Sequence, residues 1–130
     1  MPSLSDVTVK KADGTTDITF SGLNPAGGDG IPAIFRSQTV GTVPGFKPEV
    51  RVLAKAKKDE RVVRLTARYP NVKTIEGVPT LASPGSKMTL EFQLDESQDQ
   101  SDIDEASAQF LNFANSTLFK DCVRTGFPPT

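Results

Sequence analysis

The chain contains no histidine and one cysteine, Cys122, so neither a Ser-His nor a Cys-His catalytic pair can be assembled from it. Acid–base work would fall to carboxylates alone. These cluster in DESQDQSDIDE, from Asp95 to Glu105, which holds six acids and no base. That run lacks the central glycine and ligand spacing of an EF-hand loop, and it suits the start of a helix, where the dipole favours negative charge. Cys122 stands beside Val123 and near Phe119 in an apolar helical register, as expected of a reduced, buried thiol. GGDG, at 27–30, has neither the following helix pattern nor the lysine of a phosphate-binding loop and reads as an ordinary turn. Asn115-Ser116-Thr117 matches a glycosylation sequon, but a cap between two helices explains it better. An enzyme is not expected, and no cofactor, metal or small-molecule substrate is implied.

The remaining chemistry is cationic. The net charge is −1, yet lysines and arginines heavily outnumber acids between Lys47 and Lys73. In this region VRVLAKA and RVVRLTARY alternate with period two on either side of KKDE, predicting a long antiparallel hairpin. Val50, Val52 and Ala54 would point one way, and Glu49, Arg51, Leu53 and Lys55 the other. Likewise Val63, Leu65 and Ala67 oppose Arg64, Thr66 and Arg68. One face is then apolar, and the other carries Arg51, Lys55, Arg64 and Arg68 around Thr66. Solubility alone would explain such a face. Same-sign charges facing each other across a hairpin are mildly destabilising, however, which favours a bound polyanion. With one tyrosine and no tryptophan, aromatic stacking platforms are scarce, and an RRM-like mode is not expected.

The flanking elements must hold this hairpin. VTVKKADGTTDITF predicts strands near 5–11 and 16–21 around Asp13-Gly14, then GLNPAGGDG forms a surface loop. IPAIFRSQ is a third strand with Pro32 near its start, and TVGTVPG a connection. After Pro70, two glycines and two prolines between 71 and 87 suit a mobile loop with a short strand at its start. KMTLEFQL would bury Met88, Leu90, Phe92 and Leu94 and show Thr89, Glu91 and Gln93. The period then changes: Ile103, Ala106, Phe110 and Phe113 recur as on one helix face, with Ser101 as N-cap. A second helix from about Thr117 to Thr125 would stop at Gly126, before Pro128 and Pro129.

The 130 residues suit one α+β domain over 1–130, with a β-hairpin at about 5–21, a main sheet at about 31–94 and helices at about 98–125. No run approaches the roughly 18 apolar residues of a membrane span, and MPSLSDVTVKK lacks a signal peptide's apolar core. A soluble, cytoplasmic protein without a membrane partner is expected.

Taken in order and at their spacing, these segments resemble the coat proteins of levivirus-type single-stranded RNA bacteriophages. GIPAIFRSQTVGTVPGFKPEVRV is similar to that family's third strand, connector and fourth strand, and ARYPNVKTIEGVPT to its fifth strand and glycine-containing loop. MTLEFQLDESQDQSDIDEASAQFLNFANSTLF resembles its last strand, acidic helix start and paired helices, and CVRTGFPPT its tail. The resemblance implies an N-terminal β-hairpin and a five-stranded antiparallel sheet followed by two helices, in an interlocked homodimer whose helices cross onto the partner's sheet. It further implies an icosahedral T=3 shell, assembled in the bacterial host cytoplasm, in which a loop at about 72–86 (Glu76, Gly77, Val78, Pro79) lies near the symmetry axes. Ile103, Ala106, Phe110, Phe113 and Leu118 would line the dimer interface. The face opposite the helices would bind the single-stranded RNA genome and a hairpin operator through Ile31, Arg51, Leu53, Lys55, Arg64, Thr66, Arg68, Thr89, Glu91 and Gln93, with a pocket for an unpaired adenine at Ile31, Arg51, Leu53, Arg64 and Thr66. Two features depart from the family. Arg51, Leu53 and Arg64 stand where small hydroxyl residues are usual, and Glu49 replaces a base.

Two other functions fit the residues less fully: a cellular nucleic-acid-binding or oligomeric adaptor domain, and an enzyme using carboxylates alone.

Overall fold

A computed structural model describes residues 3–38 and 44–130. Most of the expected 39–45 connection lies outside the described residues; from Pro44 to Phe46 it forms a single 3-10 turn. The chain divides into two units, 1–94 and 95–130.

The first unit is one antiparallel sheet of six strands in sequence order: β1 (Val7–Lys10), β2 (Asp17–Asn24), β3 (Ala33–Ser37), β4 (Glu49–Ala56), β5 (Glu60–Ile75) and β6 (Val78–Asp95). Asp13 makes the β1–β2 turn. Its carboxylate accepts from the Thr15 and Thr16 amides, both at 2.9 Å, and from the Thr16 hydroxyl at 2.5 Å, while Gly14 takes φ +74. Glycine at that φ avoids the steric cost a β-carbon would add. The β4–β5 hairpin closes on Lys58-Asp59, where the Lys57 amide donates to the Glu60 carbonyl at 2.8 Å.

The antiparallel α+β architecture followed by two helices agrees with expectation, but the loop expected at about 72–86 does not exist as such. β5 runs through Pro70 to Ile75 and β6 starts at Val78, leaving only Glu76 and Gly77 to turn. The separate short strand expected there is the continuation of β5. Both turn residues have positive φ, +52 and +79, the type I′ geometry whose twist matches that of paired strands. Pro70 and Pro84 remove backbone donors, and near them Gly85, at φ +83, presses against the Tyr69 backbone. The prolines are absorbed by a local irregularity instead of ending the strands.

Burial is sparse. Among the described residues Ile18, Phe20, Pro48 and Val62 are the buried apolar side chains of this unit. Met88, expected inside, is 50% exposed, and Leu90, Phe92 and Leu94 are half-buried.

The second unit holds α1 (Gln100–Ala114) and α2 (Thr117–Thr125). Asp99, not Ser101, is the N-cap residue of α1: its carbonyl accepts from the Asp102 and Ile103 amides, both at 3.1 Å, so the helix begins before Ser101. Ser116 caps α2 by accepting from the Phe119 amide at 3.3 Å, and Gly126 ends it at φ +78, as its position after the last turn predicts. Of the expected interface residues only Ile103 is buried within the chain; Ala106, Phe110, Phe113 and Leu118 are exposed. Cys122 is half-buried, a correction to its expected burial.

Candidate nucleic-acid interface

Directly opposed residues of an antiparallel pair project to the same side, so strand register sorts the side chains into two faces. Opposed pairs Phe35–Val50, Ala33–Val52, Val52–Leu65 and Val50–Ala67 make one face apolar. Val9–Ile18 and Val7–Phe20 extend it to β1 and β2. Val7, Val9 and Leu65 remain at least 40% exposed within the chain, so this face has uncovered apolar surface.

The other face is mainly polar, with Ile34, Leu53 and Val62 as its apolar members. It joins Thr8–Thr19 and Lys10–Asp17 on the first hairpin to Arg36–Glu49 between β3 and β4, and to Glu49–Arg68, Arg51–Thr66 and Leu53–Arg64 between β4 and β5. Arg51, Leu53, Lys55, Arg64, Thr66 and Arg68 thus share one face. Thr89, Glu91 and Gln93 are exposed at alternate positions of β6, and Glu91 reaches Arg64 at 3.4 Å.

Ile31 falls outside this paired set. It lies before β3, bridged to Gly28, and the register places Ile34 opposite Arg51 instead. The Asp29 carboxylate accepts from the Ala56 amide at 2.7 Å and the Gly30 amide donates to the Ala54 carbonyl at 3.0 Å, which fastens the 27–30 turn beside the end of β4.

Register also removes the expectation that like charges face one another across the hairpin. Arg51 opposes Thr66, Arg64 opposes Leu53, Arg68 opposes Glu49, and Lys55 opposes Val62. Each cation has a neutral or acidic partner, so the bases meet only diagonally. A bound polyanion is not needed to relieve repulsion between opposed pairs.

Glu49 organises the cations instead. Its side chain is 13% exposed; Arg51 donates from Nε to Oε1 at 2.6 Å, and Arg36 Nε lies 3.7 Å from Oε2. Sequence reasoning overlooked Arg36, although its place two residues after Ile34 in an alternating strand was a signal for it. Lys55 and Arg68 present further positive charge on exposed strand positions. The arrangement can hold phosphates through guanidinium forks and an ammonium, with Thr66 able to hydrogen-bond a base or sugar. Among the described residues no group of three or more His, Cys, Asp or Glu is placed to hold a metal ion.

Comparison with known proteins found no matching family model and no matching curated sequence. Solved structures do match. The virus-like particle of Beihai levi-like virus 21 is 17% identical with a TM-score of 0.84, covering 99% of each chain. The capsid protein of bacteriophage GA is 13% identical with a TM-score of 0.73, over 95% of each chain. An unassembled virus coat protein dimer, a bacteriophage RNA-binding dimer, is 16% identical with a TM-score of 0.53, over 82% of each chain. At these identities the likeness is one of fold.

Proposed function

We propose that this chain, which has the fold of bacteriophage coat proteins over nearly its whole length, is itself a shell-forming coat protein that pairs with a second copy and binds RNA on its polar sheet face. The observation that carries the proposal is the end-to-end match to particle-forming subunits, with 99% of both chains covered in one of them. A shared fold does not by itself fix function, so the site must agree. Two features support it. Exposed apolar residues on the sheet (Val7, Val9, Leu65) and on the helices (Phe110, Phe113, Leu118) offer surface for another copy to cover. The opposite face gathers Arg36, Arg51, Lys55, Arg64 and Arg68, the residue types that grip a phosphate backbone.

In this mechanism phosphate contacts set affinity, and Thr66, Thr89 and Gln93 contribute hydrogen bonds to bases or sugars. The adenine pocket implied by the resemblance would here be built from Arg51, Leu53, Arg64 and Thr66. Its broader cationic lining favours general strand binding as the primary activity, with recognition of a hairpin operator, translational repression and genome packaging following from it. The Glu76-Gly77 turn at the tip of β5–β6, flanked by exposed Ile75 and Val78, would meet neighbouring subunits at the symmetry axes of the virion.

Electron microscopy of the purified protein tests the structural role: uniform hollow shells are expected, and a small oligomer at every concentration would defeat it. For RNA, Arg64→Gln with Arg68→Gln should weaken binding and flatten its salt dependence while the oligomeric state is retained. An unchanged salt slope would remove the face from the mechanism.

A further inference from the structure

The polar face continues past the β4–β5 hairpin into a cleft of about 350 Å³ lined by Ser21, Leu23, Arg36, Ser37, Gln38 and Lys47. Among the described residues its lining carries two cations and no carboxylate. Arg36 Nε is buried with no hydrogen-bond partner among the described residues, since Glu49 Oε2 at 3.7 Å is beyond hydrogen-bond reach. A buried N–H left in that state is costly and is satisfied by an approaching anionic oxygen. Gln38 Nε2 donates to Ser21 Oγ, which leaves the Ser21 hydroxyl hydrogen to point elsewhere. The cleft is larger than a bare phosphate requires and sits at the lower end of the roughly 300–1,000 Å³ of small-molecule sites.

We propose that this cleft is a second RNA subsite, taking one nucleotide unit with its phosphodiester between Arg36 and Lys47 and its sugar or base against Leu23. The proposal rests on the RNA-binding reading above. Its position supports a path for the strand: the pairs Ser21–Arg36, Arg36–Glu49 and Glu49–Arg68 form one row across four strands. At about 4.8 Å per strand that row spans roughly 14 Å and joins the cleft to the β4–β5 cations. Arg36 supplies a planar fork for two phosphate oxygens and Lys47 a point charge, while Glu49 holds the middle of the row and keeps phosphates to either side of it.

Fluorescein-labelled hexauridylate, titrated at several salt concentrations into the full-length chain below its assembly concentration, tests this. Each phosphate contact on a single strand contributes about 0.7 to the slope of log affinity against log salt, or roughly 2.6-fold in affinity between 50 and 200 mM. Lys47→Gln and Arg36→Gln should each reduce the slope by up to about that amount, and the double variant by no more, because both residues meet one phosphate. The loss from Arg64→Gln with Arg68→Gln should add to it. Lys47 makes no ion pair among the described residues, so its variant keeps the test decisive even where Arg36→Gln misfolds. An unchanged slope for Lys47→Gln beside a reduced slope for Arg64→Gln with Arg68→Gln overturns the cleft and leaves the RNA reading standing. Unchanged slopes in all variants overturn both. Fully additive losses from Arg36 and Lys47 also overturn the shared-phosphate site.

Discussion

A β-carbon placed on Gly85 would lie 1.8 Å from the carbonyl oxygen of Tyr69, so β5 and β6 touch backbone to backbone at that point. Together with φ +83 this makes Gly85 irreplaceable in a way that the other described glycines are not. Gly77 shares its positive φ, yet a β-carbon there meets nothing within 4 Å.

Gly85→Ala should therefore lower unfolding stability by more than about 2 kcal/mol, and Gly77→Ala by only about 1 kcal/mol, the cost of the left-handed conformation alone. Urea midpoints of the two variants measure the difference. Equal midpoints would show that the strands separate at Tyr69 without cost.

Glu49→Gln releases Arg36 and Arg51 from their shared carboxylate. Because partly exposed ion pairs are worth about 0.2–1 kcal/mol, RNA should bind about 1.5- to 5-fold more tightly, with a steeper salt dependence. Weaker binding would instead mean that Glu49 acts by orienting the arginines.

Asp13 is held at about pKa 2, below its ordinary 3.8, first by the Thr16 hydroxyl and then by the Thr16 and Thr15 amides. A carboxyl depressed on folding contributes stability above its unfolded value, and that contribution is lost as pH falls through the folded one. The first hairpin should thus loosen between pH about 4 and 2, with the Thr16 amide resonance titrating near 2. A midpoint at 3.8 would show that the turn leaves the carboxyl unaffected.

Phe113 is 62% exposed within the chain. If a second copy covers it, Phe113→Ala should cost about 2 kcal/mol per site, and the loss in melting temperature should grow on dilution. A concentration-independent melt, equal to that of the parent, would place Phe113 in solvent.

Much of this was legible beforehand, for identifiable reasons. Strict alternation from Val50 to Arg68 and the turn chemistry of Asp13-Gly14 and Gly126 are local signals, and each placed its element to within a few residues. Register is not local. Whether Arg51 meets Thr66 or Arg64 depends on where the Lys58-Asp59 turn closes, so the charge pairing across the hairpin was misjudged and Ile31 was placed where Ile34 stands. Composition misled between 71 and 87, because proline and glycine there serve a kinked strand pair instead of a loop. The cleft at Arg36 and Lys47 joins residues from β2, β3 and the approach to β4, a convergence that no spacing in the sequence announces. Burial of Met88 was inferred from period alone, and period tells which residues share a side without telling what covers them.

The two ends of the sheet differ greatly in length: β1 ends it with four residues and β6 with eighteen. An outermost strand so long leaves a row of backbone donors and acceptors open to any extended segment that arrives, and solitary subunits would be exposed to improper zippering throughout their lifetime. Because β6 precedes both helices in the chain, that hazard would begin during synthesis, and on the coat-protein reading proposed above a second copy pairing along the open edge would end it.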